Sequence, residues 1–143
     1  MILGSGDIGM IMARRFTLLG REVVAMVEQN AEPGGLARNR KQCLEAFRIP
    51  LRLRSTVTEV HGWPRITGVT VRALDSGAEE LLPCNALVTA VGLIPERELA
   101  RPLLSGGAPP GWLAFAGNCD FIHEIVDSVT VQALALGEAA AKA

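Results

Sequence analysis

The sequence predicts an α/β fold in which an antiparallel β-meander is inserted into a parallel sheet, and three observations carry that prediction. Residues 4–9 read Gly-Ser-Gly-Asp-Ile-Gly, a tight turn that opens a helix. Glu22 to Val27 and Ala86 to Val91 are short, continuous apolar runs, as found in strands buried on both faces. Between them, from Leu51 to Leu82, the apolar period changes to two, the signature of half-buried strands.

Taken in order, Ile2 and Leu3 form a strand stub that enters the glycine turn. A helix is predicted from Asp7 to Leu19, with Ile8, Ile11, Met12, Phe16 and Leu19 at three- and four-residue intervals on its inner face and Arg14, Arg15 and Thr17 outside. Gly20 caps it. After the strand Glu22 to Val27, Glu32-Pro33-Gly34-Gly35 is a loop, and a second amphipathic helix places Leu36, Cys43, Leu44 and Phe47 on one face. Ile49-Pro50 breaks that helix. The meander is predicted as strands from Leu51 to Val60, Ile66 to Leu74 and Glu79 to Leu82, separated by turns at His61–Arg65 and Asp75–Gly77. The strand ending at Val91 stops at Gly92. A linker-like stretch follows, then a short strand from Trp112 to Ala116, a Gly117-Asn118 turn and a helix from Ser128 to the end.

Composition narrows the function. With 49% hydrophobic and 20% charged residues the chain can bury a core. Its net charge of −1 lacks the basic footprint of a nucleic-acid binder. No apolar run reaches the length of a membrane span, and the start lacks the features of a signal peptide. Cys43, Cys84 and Cys119 are odd in number and contain no C-x-x-C pair, which points to a reducing, cytoplasmic setting and to neither a disulfide framework nor a metal site. His61 and His123 have no ligand partner at useful spacing.

The residues that carry chemistry begin with the fingerprint G-x-G-x-x-G. Gly4 permits the turn, Gly6 lets the backbone approach a pyrophosphate, and Gly9 lets the helix pack closely on the sheet. The first-turn N–H groups, at Asp7 and Ile8 among others, then face the phosphates with the positive end of the helix dipole. The Asp7 side chain should point away from an anion. Glu28, about 20 residues beyond the fingerprint and at the end of the second strand, is placed to accept hydrogen bonds from an adenosine ribose. Gln29 and Asn30 follow it with no adjacent Arg. These features favour NAD(H), while Arg38 and Arg40, able to fold back, keep NADP open. A Rossmann-like nucleotide-binding unit is therefore expected, beginning partway into a larger protein.

The segment from Cys84 to Pro95, in which Thr89-Ala90-Val91-Gly92 ends a strand after a meander, resembles the NAD-binding domain of FAD-dependent pyridine nucleotide-disulfide oxidoreductases. The resemblance implies an FAD/NAD(P)-binding fold of three layers, β/β/α, with Ala90, Val91 and Gly92 passing close to the nucleotide. Leu113 to Asp120 is similar to the family's second FAD motif. Gly117 and Asn118 would there approach the flavin, with Asn118 replacing the usual Asp. The small-residue helix that follows, with Ala133, Ala135, Gly137 and Ala139, is like the one that packs beside the flavin. The departures are specific: the first FAD fingerprint is missing, the return path from Glu98 to Pro110 is short, and no redox-active cysteine pair is present. Ile11 stands where many disulfide reductases of the family have Glu.

The domain organisation expected from this is a nucleotide-binding domain over 1–97, a shortened linker over 98–111 and a partial return segment of an FAD domain over 112–143. The parent would be an FAD-dependent oxidoreductase whose nicotinamide passes hydride to flavin, and the fragment alone would be inactive. No catalytic side chain is assigned, because hydride transfer needs position and exclusion of water rather than an acid or base. The partners expected are a nicotinamide nucleotide and the missing FAD-domain segments. The segment from Ser128 is expected to be disordered or in contact with another molecule, giving a homo-oligomer through the terminal helix. The alternatives are a free-standing NAD-binding or sensing module that self-associates, and a short dehydrogenase, which the meander disfavours.

Overall fold

The computed structural model describes residues 1–104, 107–123 and 125–142. Ser105, Gly106, Glu124 and Ala143, parts of the expected linker, return segment and terminal helix, lie outside the described residues. The chain forms two compact units, Met1–Gly92 and Leu93–Ala143.

The first unit is built in three layers. Its central sheet has four parallel strands, β1 (Ile2–Leu3), β2 (Met26–Val27), β3 (Leu51–Arg52) and β7 (Val88–Thr89), in the order β3-β2-β1-β7. Ile2 pairs with Met26 on one side and with Val88 on the other. On one face lie α1 (Asp7–Leu18) and an irregular helix, α2 (Ala37–Asn39), which runs on through a π-helical turn, Arg40–Leu44, and a 3-10 turn, Glu45–Phe47. On the other face lies the antiparallel sheet of β4 (Ser55–His61), β5 (Gly68–Ala73) and β6 (Glu79–Pro83).

β1 and β2 read as apolar on both faces because both faces are covered, whereas the run Ala86–Val91, expected to be buried on both faces, yields only β7 at the sheet edge, with Val88 half-buried and Thr89 exposed. Ile2, Met10, Ala13, Met26, Cys43 and Leu44 form the core under the helices, while Met1, Ala25, Val27, Val69, Val71 and Leu82 form the core under the meander. Successive residues of one strand thus feed opposite cores, as the pleat requires.

Three details depart from the sequence reading. Helix α1 buries Gly9, Met10 and Ala13, whereas Ile8 is 72% exposed and Ile11 and Leu19 are also exposed. The glycine turn sets this rotation. A Cβ on Gly9 would stand 2.6 Å from the Gly4 carbonyl oxygen, so the Gly9 face must meet the sheet whatever the size of the other side chains.

The expected strand from Leu51 to Val60 is divided between two sheets. Leu51–Arg52 is the outer strand of the parallel sheet, Arg54 takes a left-handed conformation (φ +46°), and β4 then starts at Ser55 in the meander. Alternation continues across the break, so periodicity alone does not mark it. Finally, Trp112 to Ala116 is not a strand, for the described residues of the second unit contain no strand to pair with it.

The second unit holds two 3-10 segments, Glu98–Leu104 and Gly117–Cys119, and α3 (Val126–Ala140). The helix expected from Ser128 is present as α3, which begins two residues earlier, and none of its described residues is buried. Its anchor is Gln132. That side chain accepts from the Gly117 N–H (2.7 Å) and donates to Asp120 Oδ2 (2.8 Å).

Candidate functional site

The carboxyl ends of β1, β2 and β7 converge on the glycine turn. Gly4 has φ +99°, and a Cβ there would lie 2.3 Å from the Ala90 carbonyl oxygen. The turn therefore needs glycine for two reasons, its dihedral angle and the close approach of the strand ending at Ala90. The Gly4 N–H donates to the Val27 carbonyl and the Ala90 N–H to the Leu3 carbonyl, which fixes all three strand ends together.

Gly6 is different. It caps α1 with φ −64°, and a Cβ built on it meets nothing within 4 Å. The N–H groups of Gly6, Asp7, Ile8 and Gly9 have no acceptor among the described residues, and the first intrahelical bond runs from Met10 to the Gly6 carbonyl. Four donors are therefore left without a partner at the positive end of a helix of 12 residues; the space beside Gly6 is open, whereas Gly9 is buried and the Asp7 nitrogen lies against Gly35.

Glu28 follows β2 directly and is 6% exposed. Its Oε2 accepts from the Ser5 N–H (3.0 Å) and the Ser5 hydroxyl (2.6 Å), and its Oε1 from the Asn30 N–H (2.9 Å) and the Asn30 amide (2.9 Å). Burial pushes the carboxyl up, but the donors on Ser5, Asn30 and Gln29 outweigh it, and the group is held below the usual glutamate range. A buried carboxylate thus stays ionised at the edge of the turn. Gln29 contributes through its backbone, and its side chain is exposed.

The Asp7 side chain does turn to the protein. Its Oδ1 accepts from the Leu36 N–H (2.8 Å) and from Asn39 Nδ2 (2.7 Å). The Asn39 bond, then the Leu36 N–H, and more weakly Arg38, lower the pKa of its carboxyl. Arg40 instead pairs with Glu45 at 3.0 Å.

The structure accordingly brings Gly4, Gly6, Asp7, Ile8, Gly9, Glu28 and Ala90 to one edge of the first unit. Val91 and Gly92 continue from that edge, Val91 being exposed and Gly92 adopting φ +112° with open space around it. Gly117 and Asn118 belong to the second unit. There the Gly117 N–H is taken by Gln132, and Asn118 Oδ1 accepts from the His123 N–H at 3.2 Å. Sequence reasoning missed Ser5 and the loop Gly34–Asn39. A serine enclosed by apolar and glycine neighbours, and a second Gly-Gly pair soon after Glu28, were the signals available.

A cavity of about 760 Å³ opens at the other, amino-terminal end of the strands, between Met1, Phe16, Val24, Arg65 and Asn85. The cysteines are free: Cys43 is buried, and Cys84 and Cys119 are half-buried. Among the described residues no cluster of His, Cys, Asp or Glu could hold a metal ion, and no helix is long and apolar enough to cross a membrane.

Comparison with known proteins places this geometry. No curated protein matches the chain. Among solved structures, thioredoxin reductase from T. acidophilum is 24% identical, with a TM-score of 0.64 over 71% of this chain and 33% of its own. Thioredoxin reductase from Lactococcus lactis, in its FR conformation, gives a TM-score of 0.74 at 14% identity, over 99% of this chain and 51% of its own. A ferredoxin reductase from Rhodopseudomonas palustris is 25% identical, with a TM-score of 0.55 over 71% of this chain and 25% of its own. The chain thus spans between about a quarter and a half of the length of these structures. The sequence profile described as pyridine nucleotide-disulphide oxidoreductase matches residues 1–108, and the chain belongs to that family of flavin- and pyridine nucleotide-dependent oxidoreductases.

Proposed function

We propose that the chain is the NAD(H)-binding part of an FAD-dependent oxidoreductase, holding the nicotinamide nucleotide across the first turn of α1. The observation that carries this reading is the combination at Gly6: four unpaired N–H groups beside a space that any side chain would enter. Those donors suit a diphosphate, and the ionised Glu28 suits the hydroxyls of an adenosine ribose while repelling a 2′-phosphate. Ala90 to Gly92 border the same edge, where a glycine without neighbours leaves room for the nucleotide.

In the complete enzyme FAD supplies the hydride acceptor. The residues of this chain contribute binding and orientation, and no acid or base of the chain is needed for hydride transfer. Asn118 fits a flavin less directly than the turn fits a nucleotide. Its carboxamide oxygen is engaged by His123, which leaves the Nδ2 donor for a ribityl hydroxyl. Calorimetric titration of the chain with NADH tests the reading. Saturable binding that is lost in Gly6→Val, with the melting transition retained, is the expected result. A folded chain that takes up no nucleotide overturns it.

A further inference from the structure

Two of the three non-glycine positions of the fingerprint are polar, and both side chains are engaged inside the protein. Ser5 is completely buried. Its hydroxyl donates to Glu28 Oε2 (2.6 Å) and accepts from the Gly34 N–H (3.0 Å). Asp7 receives the Leu36 N–H and the Asn39 amide. Between these anchors lies Gly35, where a Cβ would stand 2.7 Å from Asp7 Oδ1 and 2.9 Å from the Asp7 nitrogen. The loop after β2 therefore rests on the backbone of the glycine turn and is fastened at both ends.

This makes the two oxygens of Glu28 unequal. Oε2 is committed to two donors of a buried residue. Oε1 is held by Asn30, which is exposed, so the Asn30 carboxamide can turn into water and free a lone pair without leaving a buried group unpaired.

We propose, resting on the nucleotide-binding reading above, that Ser5 and Asp7 are positioning residues for selection of the sugar. Ser5 orients Glu28 so that Oε1 alone meets the ribose, and Asp7 holds the Gly34–Asn39 loop, with Arg38 on it, in one place beside the turn. Accommodating a 2′-phosphate needs the carboxylate to swing away and a cation to swing in. Ser5 prevents the first movement and the anchored loop prevents the second.

The test is titration of the 143-residue chain and its variants with NADH and with NADPH, alongside thermal melting. The wild-type chain is expected to favour NADH. Ser5→Ala and Asp7→Ala should each narrow the ratio of the two dissociation constants about tenfold, mainly through tighter NADPH binding. Asp7→Asn should keep the ratio, because a carboxamide oxygen accepts the same two hydrogen bonds. It should also bind both nucleotides more tightly, since a negative charge leaves the first turn of α1.

Asp7 is half-exposed, so Asp7→Ala tests the loop anchor even where Ser5→Ala does not fold, and Ser5→Cys, which keeps the size of the side chain and weakens its hydrogen bond to Glu28, then tests the orienting role by the same ratio. Wild-type ratios in Asp7→Ala and in folded Ser5→Ala overturn the positioning roles alone, as does a wild-type chain without preference. Loss of the ratio in Asp7→Asn assigns the effect to charge and overturns the loop anchor. A folded wild-type chain that binds neither nucleotide overturns the nucleotide-binding reading itself.

Discussion

Two of the glycine-bearing turns that precede a helix, the one before α1 and the one at Gly117 ahead of α3, treat their backbone amides in opposite ways. At the first, Gly6 to Gly9, the leading N–H groups of α1 have no acceptor among the described residues, and the space beside Gly6 is open. At the second, Gln132 reaches back from α3 to take the Gly117 N–H, and the network closes through Asp120 to Arg97, whose Nη2 lies 2.9 Å from Asp120 Oδ1. The same Arg97 packs over the Phe115 ring at 4.7 Å. Unpaired polar groups are tolerated where water or a ligand completes them and are otherwise matched internally. The contrast therefore separates a turn whose leading amides are left without a partner from one that its own side chains complete.

The largest effect on this comparison should come from Gly4→Ala. The added methyl would meet the Ala90 carbonyl at 2.3 Å, and φ +99° is unfavourable for any side chain. Strain and overpacking together should cost about 3–5 kcal/mol, seen as a large fall in melting temperature or as failure to fold. A variant that melts like the wild type would remove the steric basis for the first turn.

Gly6→Val should show the opposite balance. Space is open there, so stability should fall by about 1 kcal/mol, the cost of a poor N-cap residue. Nucleotide affinity should fall at least about a hundredfold, roughly 2.8 kcal/mol. The two glycines thus divide one motif into a folding position and a binding position, and melting measured beside titration sharpens that division.

Glu28→Ala should lower NADH affinity about ten- to a hundredfold and narrow the preference over NADPH. The same residue gives a pH signature. Its folded pKa lies below the ordinary value, so the unfolded state binds more protons in the interval between them. Stability contributed by Glu28 is therefore complete above the ordinary glutamate value and declines as the pH falls through the folded one. Glu28→Gln should flatten that acid limb of the melting curve, and an unchanged limb would show that the Ser5 and Asn30 donors do not favour the ionised form.

How much of this was legible in the sequence depends on which contacts are local. The turn, the acid at the end of β2 and the return of the chain to the parallel sheet at Val88 are encoded by residue types at fixed spacing, and they appear where the pattern puts them, although the returning strand is not buried as its apolar run suggests. The inner face of α1 was not legible from hydrophobicity. Backbone contact at Gly9 outweighs the size of Ile8 and Ile11, and a residue scale does not contain that contact. The split at Arg54 was hidden because period two persists on both sides of a left-handed residue. Ser5 was hidden for a third reason: its partners, Glu28 and Gly34, lie 23 and 29 positions away and meet only when the sheet forms.

The smallest predicted effect concerns the second turn. Gln132→Ala removes the acceptor of the Gly117 N–H and a donor to Asp120, at a partly buried position, and should cost about 1 kcal/mol locally. Gln132 also meets His123 Nε2 at 2.9 Å, and α3 has no buried residue among those described, so amide exchange at Gly117 and along Val126–Ala140 should accelerate roughly fivefold. The first unit should be untouched, with nucleotide affinity and the exchange of its β-strands unchanged. If Gly117 exchanges no faster in the variant, the second turn is not completed by Gln132, and the contrast between the two turns falls.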